Sequence, residues 1–295
     1  MSKNHPSQKI TFLGLGVMGY PMAGHLAKSH YNVTVFNRTK TRADQWLNDY
    51  KGSISSTPEE ACNNSDIVFC CVGADDDLRE VIYGDNGAIA GMKKGAIFVD
   101  HTTASAEIAR ELSEAMSVYS INFLDAPVSG GQAGAEQGKL TVMIGGERKY
   151  YEIIKPVIEC YSRNITHMGP AGYGQLTKMV NQICIAGVLQ GLAEGLAFAQ
   201  NAELDGEKVL DVISKGAAQS WQMENRGKTM LKSEFDFGFA VDWMRKDLNL
   251  CLKEANKNKS RLPITALVDQ FYAQLQNRGG SRWDTSSLVQ LLQQK

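Results

Sequence analysis

The sequence predicts an α/β fold, a doubly wound, mostly parallel sheet followed by an all-helical C-terminal domain. Three observations predict it. Short, nearly continuous apolar runs alternate with amphipathic stretches through the first half of the chain, as in stacked βαβ units whose strands are buried on both faces. A glycine-rich turn, Gly14-Leu15-Gly16-Val17-Met18-Gly19, directly follows the first run and opens a helical stretch. After Gly169-Pro170 the strand-like runs stop and helical periodicity continues to the C-terminus. The expected domains are therefore 1–170 and 171–295.

Expected strands are 9–13, 32–36, 67–72, 96–100 and 122–124, each bounded by Gly, Asn, Asp or Thr, with amphipathic helices such as 18–29 and 105–116 between them. A further pair, 140–144 and 164–167, flanks a helical pattern at 150–160 and extends the sheet. Residues 174–200 read as one long helix in which Gly187, Gly191 and Gly195 recur every fourth position. Such a row weakens an isolated helix, so close packing is expected to compensate. Helices at 206–214, 239–256, 263–277 and 285–293 follow.

Composition bounds the function. The 295 residues carry 31 Lys and Arg against 32 Asp and Glu, a formal net charge of -1, so the basic surplus of a nucleic-acid binder is lacking. Hydrophobic residues at 43% and charged residues at 21% are ordinary for a globular chain and argue against extended disorder. The six cysteines show no CxxC spacing, and residues 1–9 lack the apolar core of a secretory signal, so a reducing, cytoplasmic setting is expected. The longest apolar stretch, 183–199, is interrupted by Gln190 and Glu194, so no membrane span is expected. The five histidines lack metal-ligand spacing, and no metal is expected. Asp75-Asp76-Asp77 reads as charge at a helix N-terminus rather than as a cation site.

The run Gly14 to Gly19 fits GxGxxG between a strand and a helix, the Rossmann-type dinucleotide signature. Its first glycine allows the turn, its second lets backbone approach a pyrophosphate, and its third permits close helix-strand packing. Leu15, Val17 and Met18 complete the turn, and the phosphates are expected at the helix N-terminus. A glycine turn without a ligand is the alternative. At the end of the second strand stand Asn37, Arg38 and Thr39, where an NAD-binding chain would usually carry an acid for the ribose hydroxyls. Arg38 can pair with a 2′-phosphate and stack on adenine, so NADP is expected over NAD. An exposed surface charge is the alternative for Arg38.

Four motifs together resemble the β-hydroxyacid dehydrogenase family, which includes 3-hydroxyisobutyrate dehydrogenase, tartronate semialdehyde (2-hydroxy-3-oxopropionate) reductase and the succinic and glyoxylic semialdehyde reductases. They are Gly14 to Gly19 with Pro21-Met22, Asp125-Ala126-Pro127-Val128-Ser129-Gly130-Gly131, Gly172-Tyr173-Gly174-Gln175 with Lys178-Met179-Val180-Asn181-Gln182, and Lys246-Asp247-Leu248. They occur in the family's order and cover nearly the whole chain. The resemblance implies an oxidoreductase that moves hydride between NADP(H) and a small semialdehyde acid or 3-hydroxy acid, as a homodimer or homotetramer. Lys178 matches the catalytic lysine, which donates a proton as charge develops on the carbonyl oxygen. A lysine in an apolar helix has its charge disfavoured by burial; the alternative is a stem crossing apolar surface with its head in water.

Ser129, Gly130 and Gly131 match the substrate-carboxylate loop, where freed backbone N-H groups converge on an anion. Asn181 and Gln182 fall beside Lys178 on the helix and match substrate contacts, or they are amides that pair with one another. Gln182 departs from the Asn common in hydroxyisobutyrate enzymes and from the His-Asn pair of 6-phosphogluconate dehydrogenases. Thr103, Val72 and Gly73 match cofactor-side positions, although the family's usual Pro is absent at Gly73. Lys246 matches a second lysine beside the cofactor, with Phe239 seven residues earlier on nearly the same helical face, or simply in the core. Asp247 either pairs with Lys246 or meets a neighbouring helix, and residues 216–221 read as a loop at the site entrance. Two rivals are an imine reductase on this fold, in which the lysine position is usually another residue, and a non-catalytic cofactor-binding interaction module. Lys178 disfavours both.

Overall fold

In the computed structural model, which describes residues 8–293, the apolar runs become strands and the stretches between them helices. In chain order these are β1 (Lys9–Leu13), α1 (Gly19–Lys28), β2 (Asn32–Phe36), α2 (Lys40–Asp49), β3 (Ser53–Ile54), α3 (Pro58–Cys62), β4 (Ile67–Cys70), α4 (Asp75–Tyr83), α5 (Ala88–Gly91), β5 (Ile97–Asp100), α6 (Ala106–Val118), β6 (Asn122–Asp125), β7 (Val128–Ser129), α7 (Gly131–Glu136), β8 (Leu140–Gly146), α8 (Arg148–Ile158) and β9 (Ser162–Gly169). They form one sheet of order β3-β2-β1-β4-β5-β6-β8-β7, with β9 on the other side of β8. Pairing is parallel from β3 to β6, while β8 runs antiparallel to β6 and β7.

Strand alternation makes the sheet doubly wound, because successive side chains point to opposite faces. Ile10, Phe12, Ile67, Phe69, Ile97, Val99 and Leu124 enter one core, while Leu13, Val68, Cys70, Phe98 and Phe123 enter the other. The register matters for function. Leu13 lies opposite both Phe36 and Cys70, Cys70 opposite Asp100, and Asp100 opposite Asp125. Five strands thus end on one line, and the residues that follow them form a row along the carboxyl edge, where open α/β sheets bind ligands.

The next element is α9 (Tyr173–Asn201), and the division into two compact units, Met1–Lys178 and Met179–Lys295, falls within it. By length and composition α9 could cross a membrane, with a mean hydropathy of 1.4 in its most apolar 18-residue window. Half of that window is buried within the protein, and the helix buries Gln175, Gln182 and Gln190 as well as Leu189 and Leu196, the pattern of a core helix. The glycine row does not behave as expected. A Cβ added at Gly187, Gly191 or Gly195 would meet nothing within 4 Å, so among the described residues no helix packs closely there.

The second unit continues with α10 (Gly206–Ile213), α11 (Trp221–Leu231), α12 (Val241–Asn258), α13 (Pro263–Asn277) and a 3-10 helix, Thr285–Leu291, where an α-helix is expected from periodicity. Its core includes Leu189, Leu196, Leu210, Met230, Met244, Leu248, Val268, Tyr272 and Leu288. Two expectations are corrected here. Trp221 does not belong to an entrance loop: the Ser220 hydroxyl accepts from the Met223 N-H and starts α11 at Trp221. Phe239 does not share a helical face with Lys246, because α12 begins only at Val241. The buried Asp284 carboxylate accepts from the Phe239 N-H at 2.9 Å and holds that residue in the approach to the helix, half-buried against the second unit's core.

Candidate active site

Every candidate of the first unit except Lys178 follows the carboxyl end of a strand. Gly14 to Gly19 follow β1, Asn37 to Thr39 follow β2, Val72 and Gly73 follow β4, Thr103 follows β5, and Ser129 to Gly131 lie at and beyond β7. β1 is also where the strand order reverses, with β2 on one side and β4 on the other, and a crevice for a dinucleotide opens at such a point.

The glycine turn has the three properties that a dinucleotide requires. Gly14 has φ +93°, and a Cβ there would collide with the Cys71 carbonyl and press on Val72. A Cβ at Gly19 would collide with the Gly14 carbonyl, so α1 can approach β1 only without one. At Gly16, by contrast, a Cβ would meet no protein atom within 4 Å, which leaves open space beside the backbone where a pyrophosphate would pass. These residues fit the cofactor. Val72 lies beside Gly14, and its N-H is held by the Thr102 hydroxyl at 3.0 Å.

Asn37 and Arg38 divide the work at β2. The Asn37 carboxamide accepts from the Leu15 N-H at 2.8 Å and donates to the Thr39 carbonyl at 3.0 Å, so it braces the turn. Arg38 extends into solvent with 86% of its side chain exposed and pairs with Asp77 on α4 at 3.3 Å. Thr39 precedes α2 without capping it through its side chain. A second guanidinium, not singled out in the sequence, stands nearby: Arg42 donates to the Leu15 carbonyl at 3.0 Å and lies over the Tyr20 ring. Its sequence signal is its place in the first turn of the helix after Arg38.

Lys178 is buried, with 8% of its surface accessible. What holds its helix is a clamp. The buried Asp125 carboxylate, at the end of β6, accepts from the Gly172 N-H at 2.7 Å and the Gln175 N-H at 2.9 Å, which belong to the approach and first turn of α9. Those donors have no partner within the helix, and a carboxylate is favoured at that end of the helix dipole. The buried Gln175 side chain donates to the Thr102 carbonyl and accepts from the Ala104 N-H, tying the same turn to the end of β5. Lys178 follows three residues on. Gln175 and Asp125 belong to the recognised motifs but carry no role there; a buried polar residue one turn before a buried lysine is the signal for them.

Burial pushes the Asp125 carboxyl up against four backbone N-H groups that pull it down, and burial pushes Asp100, which accepts from the Thr102 N-H at 2.9 Å, up to about 7. His101 is lowered to about 4 by burial, and its ring bridges the Ala126 carbonyl and the Tyr161 hydroxyl. Asp100 and Asp125 are the last residues of β5 and β6, and His101 follows Asp100.

Ser129 is half-buried at the end of β7, a short strand not expected from the sequence, which pairs with Thr141 of β8. Gly130 and Gly131 follow with φ of +135° and +61°, exposed. In the second unit, Asn181 donates to the Gln182 carbonyl oxygen at 2.8 Å, and Gln182 donates to the buried Asp247 carboxylate at 2.6 Å. Asp247 also lies 3.2 Å from the Lys246 Nζ, so it does both things left open for it: it pairs with its neighbour and it meets another helix. Among the described residues no group of His, Cys, Asp and Glu could hold a metal.

Residues 9–169 match the family model described as the NAD binding domain of 6-phosphogluconate dehydrogenase. Residues 172–292 match the model described as the NAD-binding domain of NADP-dependent 3-hydroxyisobutyrate dehydrogenase. An uncharacterized oxidoreductase of Shewanella frigidimarina is 62% identical over 97% of this chain and 98% of its own length. The 2-hydroxy-3-oxopropionate reductase of Escherichia coli is 36% identical, covering 97% of each chain. The solved structure of Mycobacterium tuberculosis 3-hydroxyisobutyrate dehydrogenase with L-serine superposes with a TM-score of 0.88 at 27% identity, over 97% of this chain and 99% of that one.

Two outcomes check this geometry. Asp125→Ala leaves two buried N-H groups without an acceptor and is expected to destabilise the first unit by about 2 to 4 kcal/mol, read as a lower urea midpoint. Asp100 titrates higher folded than unfolded, so the unfolded chain releases its proton first and stability falls as pH rises from about 4 to about 7. Asp100→Asn removes that dependence. Its stability relative to the parent is expected to rise across this window and level off above it, by urea unfolding at several pH values.

Proposed function

The chain belongs to the NAD(P)-dependent 3-hydroxyacid dehydrogenase family of oxidoreductases, and within it we propose an NADP(H)-dependent enzyme that reduces a short semialdehyde acid or oxidises the matching 3-hydroxy acid. The observation that carries this reading is the buried Lys178, set one turn beyond the Asp125 and Gln175 clamp. When bound, the coenzyme supplies or accepts the hydride. Lys178 gives a proton from its Nζ to the carbonyl oxygen as that atom gains charge, and takes it back in oxidation.

The remaining assignments follow from position. Gly14, Leu15, Gly16, Val17, Met18 and Gly19 take the pyrophosphate, Arg38 and Thr39 the adenosine 2′-phosphate with Asn37 bracing the turn, and Val72, Gly73 and Thr103 line the nicotinamide side. Ser129, Gly130 and Gly131 take the substrate carboxylate. Asn181 presents its amide to substrate oxygen, and Gln182, through Asp247, fixes the helix rotation that aims it. Lys246 is assigned to the coenzyme by the resemblance of Lys246-Asp247-Leu248 to the family motif, whereas Phe239, which lies before α12, is assigned to core packing. The reading divides the chain at 170/171 by role, with a coenzyme domain before a helical domain that binds substrate and joins subunits.

A small acid is the substrate class, because the related Escherichia coli enzyme is named for a three-carbon hydroxy-oxo acid and the glycine loop suits one carboxylate. The row of Gly187, Gly191 and Gly195, open to an added Cβ at each position, supports a homodimer or homotetramer, and six free thiols suit the cytoplasm.

With a panel of tartronate, succinic, glyoxylic and methylmalonic semialdehydes, Lys178→Ala is expected to lower kcat by roughly a hundredfold or more, with NADPH binding only modestly weakened. Near-normal turnover in the folded variant would overturn the assignment. Wild-type kcat/KM is expected to be higher with NADPH than with NADH, and Arg38→Ala is expected to erase that difference chiefly through KM for NADPH; a native preference for NADH would contradict it.

A further inference from the structure

Three acids open α4, and each has its own partner. Asp75 accepts from the Ser105 N-H at 2.9 Å, Asp76 pairs with Arg79 at 3.3 Å, and Asp77 reaches back to Arg38 at the end of β2, at 3.3 Å. Of the three, Asp77 is the one that touches the candidate coenzyme site. The Arg38 side chain is 86% exposed and that of Asp77 36%, so their pair sits in high dielectric and adds little to the fold.

A 2′-phosphate would use the same guanidinium. Arg38 meets Asp77 through Nη1 alone, end-on, whereas a phosphate can take two guanidinium N-H groups at once. The phosphate, with a charge of about -1.5 to -2 near neutral pH, must displace or share the carboxylate and then lies beside it. A coenzyme with a free 2′-hydroxyl meets neither the competition nor the repulsion.

We propose that Asp77 is a specificity-determining residue, a built-in competitor for Arg38 that lowers affinity for the 2′-phosphate and so narrows the margin between NADP and NAD. The proposal rests on the reading of Arg38 as the 2′-phosphate ligand. It makes Asp77 a brake on that preference rather than part of the machinery that creates it.

The test uses the adenosine halves alone. Calorimetric Kd values for adenosine 2′,5′-bisphosphate and adenosine 5′-monophosphate are compared in the full-length wild type, Asp77→Asn, Arg38→Ala and the double variant. Asp77→Asn is expected to tighten the bisphosphate by roughly two- to fivefold, the range that exposed ion pairs reach. The monophosphate should stay within about twofold, and most of the gain should vanish in the Arg38→Ala background. An unchanged or weaker bisphosphate, an equal gain for both ligands, or a full gain without Arg38 would overturn the inference. If wild type binds the two ligands equally, the coenzyme preference fails instead; should Asp77→Asn then separate them through Arg38, the competition stands.

Discussion

The arrangement depends on one buried carboxylate. Asp125 ends β6 inside the protein, where burial raises its pKa and ionisation is costly, yet it receives the Gly172 and Gln175 N-H groups at the start of a 29-residue helix. Those donors would otherwise be buried without partners, so carboxylate and helix end satisfy one another. The bond fixes where α9 begins relative to the sheet, and with it the height of Lys178. Gln175 supplies the second constraint, because its side chain bonds on both ends to the segment after β5 and restricts rotation about the helix axis.

The same economy governs the coenzyme side. Five parallel strands in register bring residues from position 14 to position 126 onto one edge without any of them contacting in sequence. The turn after β1 is then trimmed by its neighbours: the Cys71 carbonyl leaves room for glycine alone at position 14, and Asn37 takes the Leu15 N-H. At Gly16, by contrast, the backbone borders open space. Arg38 and Arg42, one extended and one folded back on Tyr20, supply positive charge at two depths.

Much of this was legible in the residues. β1 and β2 lie where the apolar runs put them, α13 has the expected bounds, and Gly14 and Gly19 sit where a Cβ would collide, as the tight turn and the close helix-strand packing require. What escaped has physical causes. β3 and β7 are two residues long and carry no periodicity of their own; they exist because a neighbour offers a ladder. α11 hides because Gly227 and its charged residues blur the apolar face, although Ser220 marks its start. Phe239 was misplaced because helical spacing was extended past the true start of α12, which the distant Asp284 sets by binding the backbone before it. The partners of Gln175 and Asp77, and the Gln182 partner of Asp247, lie 39 to 73 residues away and are not visible to local pattern. Distance in sequence is what separates the legible half of the site from the rest.

In the second unit a buried amide ties two helices together. Gln182 is buried on α9 and donates to Asp247 on α12, which also faces Lys246. A charged acceptor makes this hydrogen bond stronger than a neutral one, and burial makes its loss costly. Asn181 in turn donates to the other end of the Gln182 amide. The chain Asn181, Gln182, Asp247, Lys246 therefore passes one negative charge between two cationic or donating groups, orienting both through a residue that neither needs to approach. An Asn in place of Gln182 would be one methylene short of Asp247, so the departure from the family's usual residue is matched to the length this bond requires.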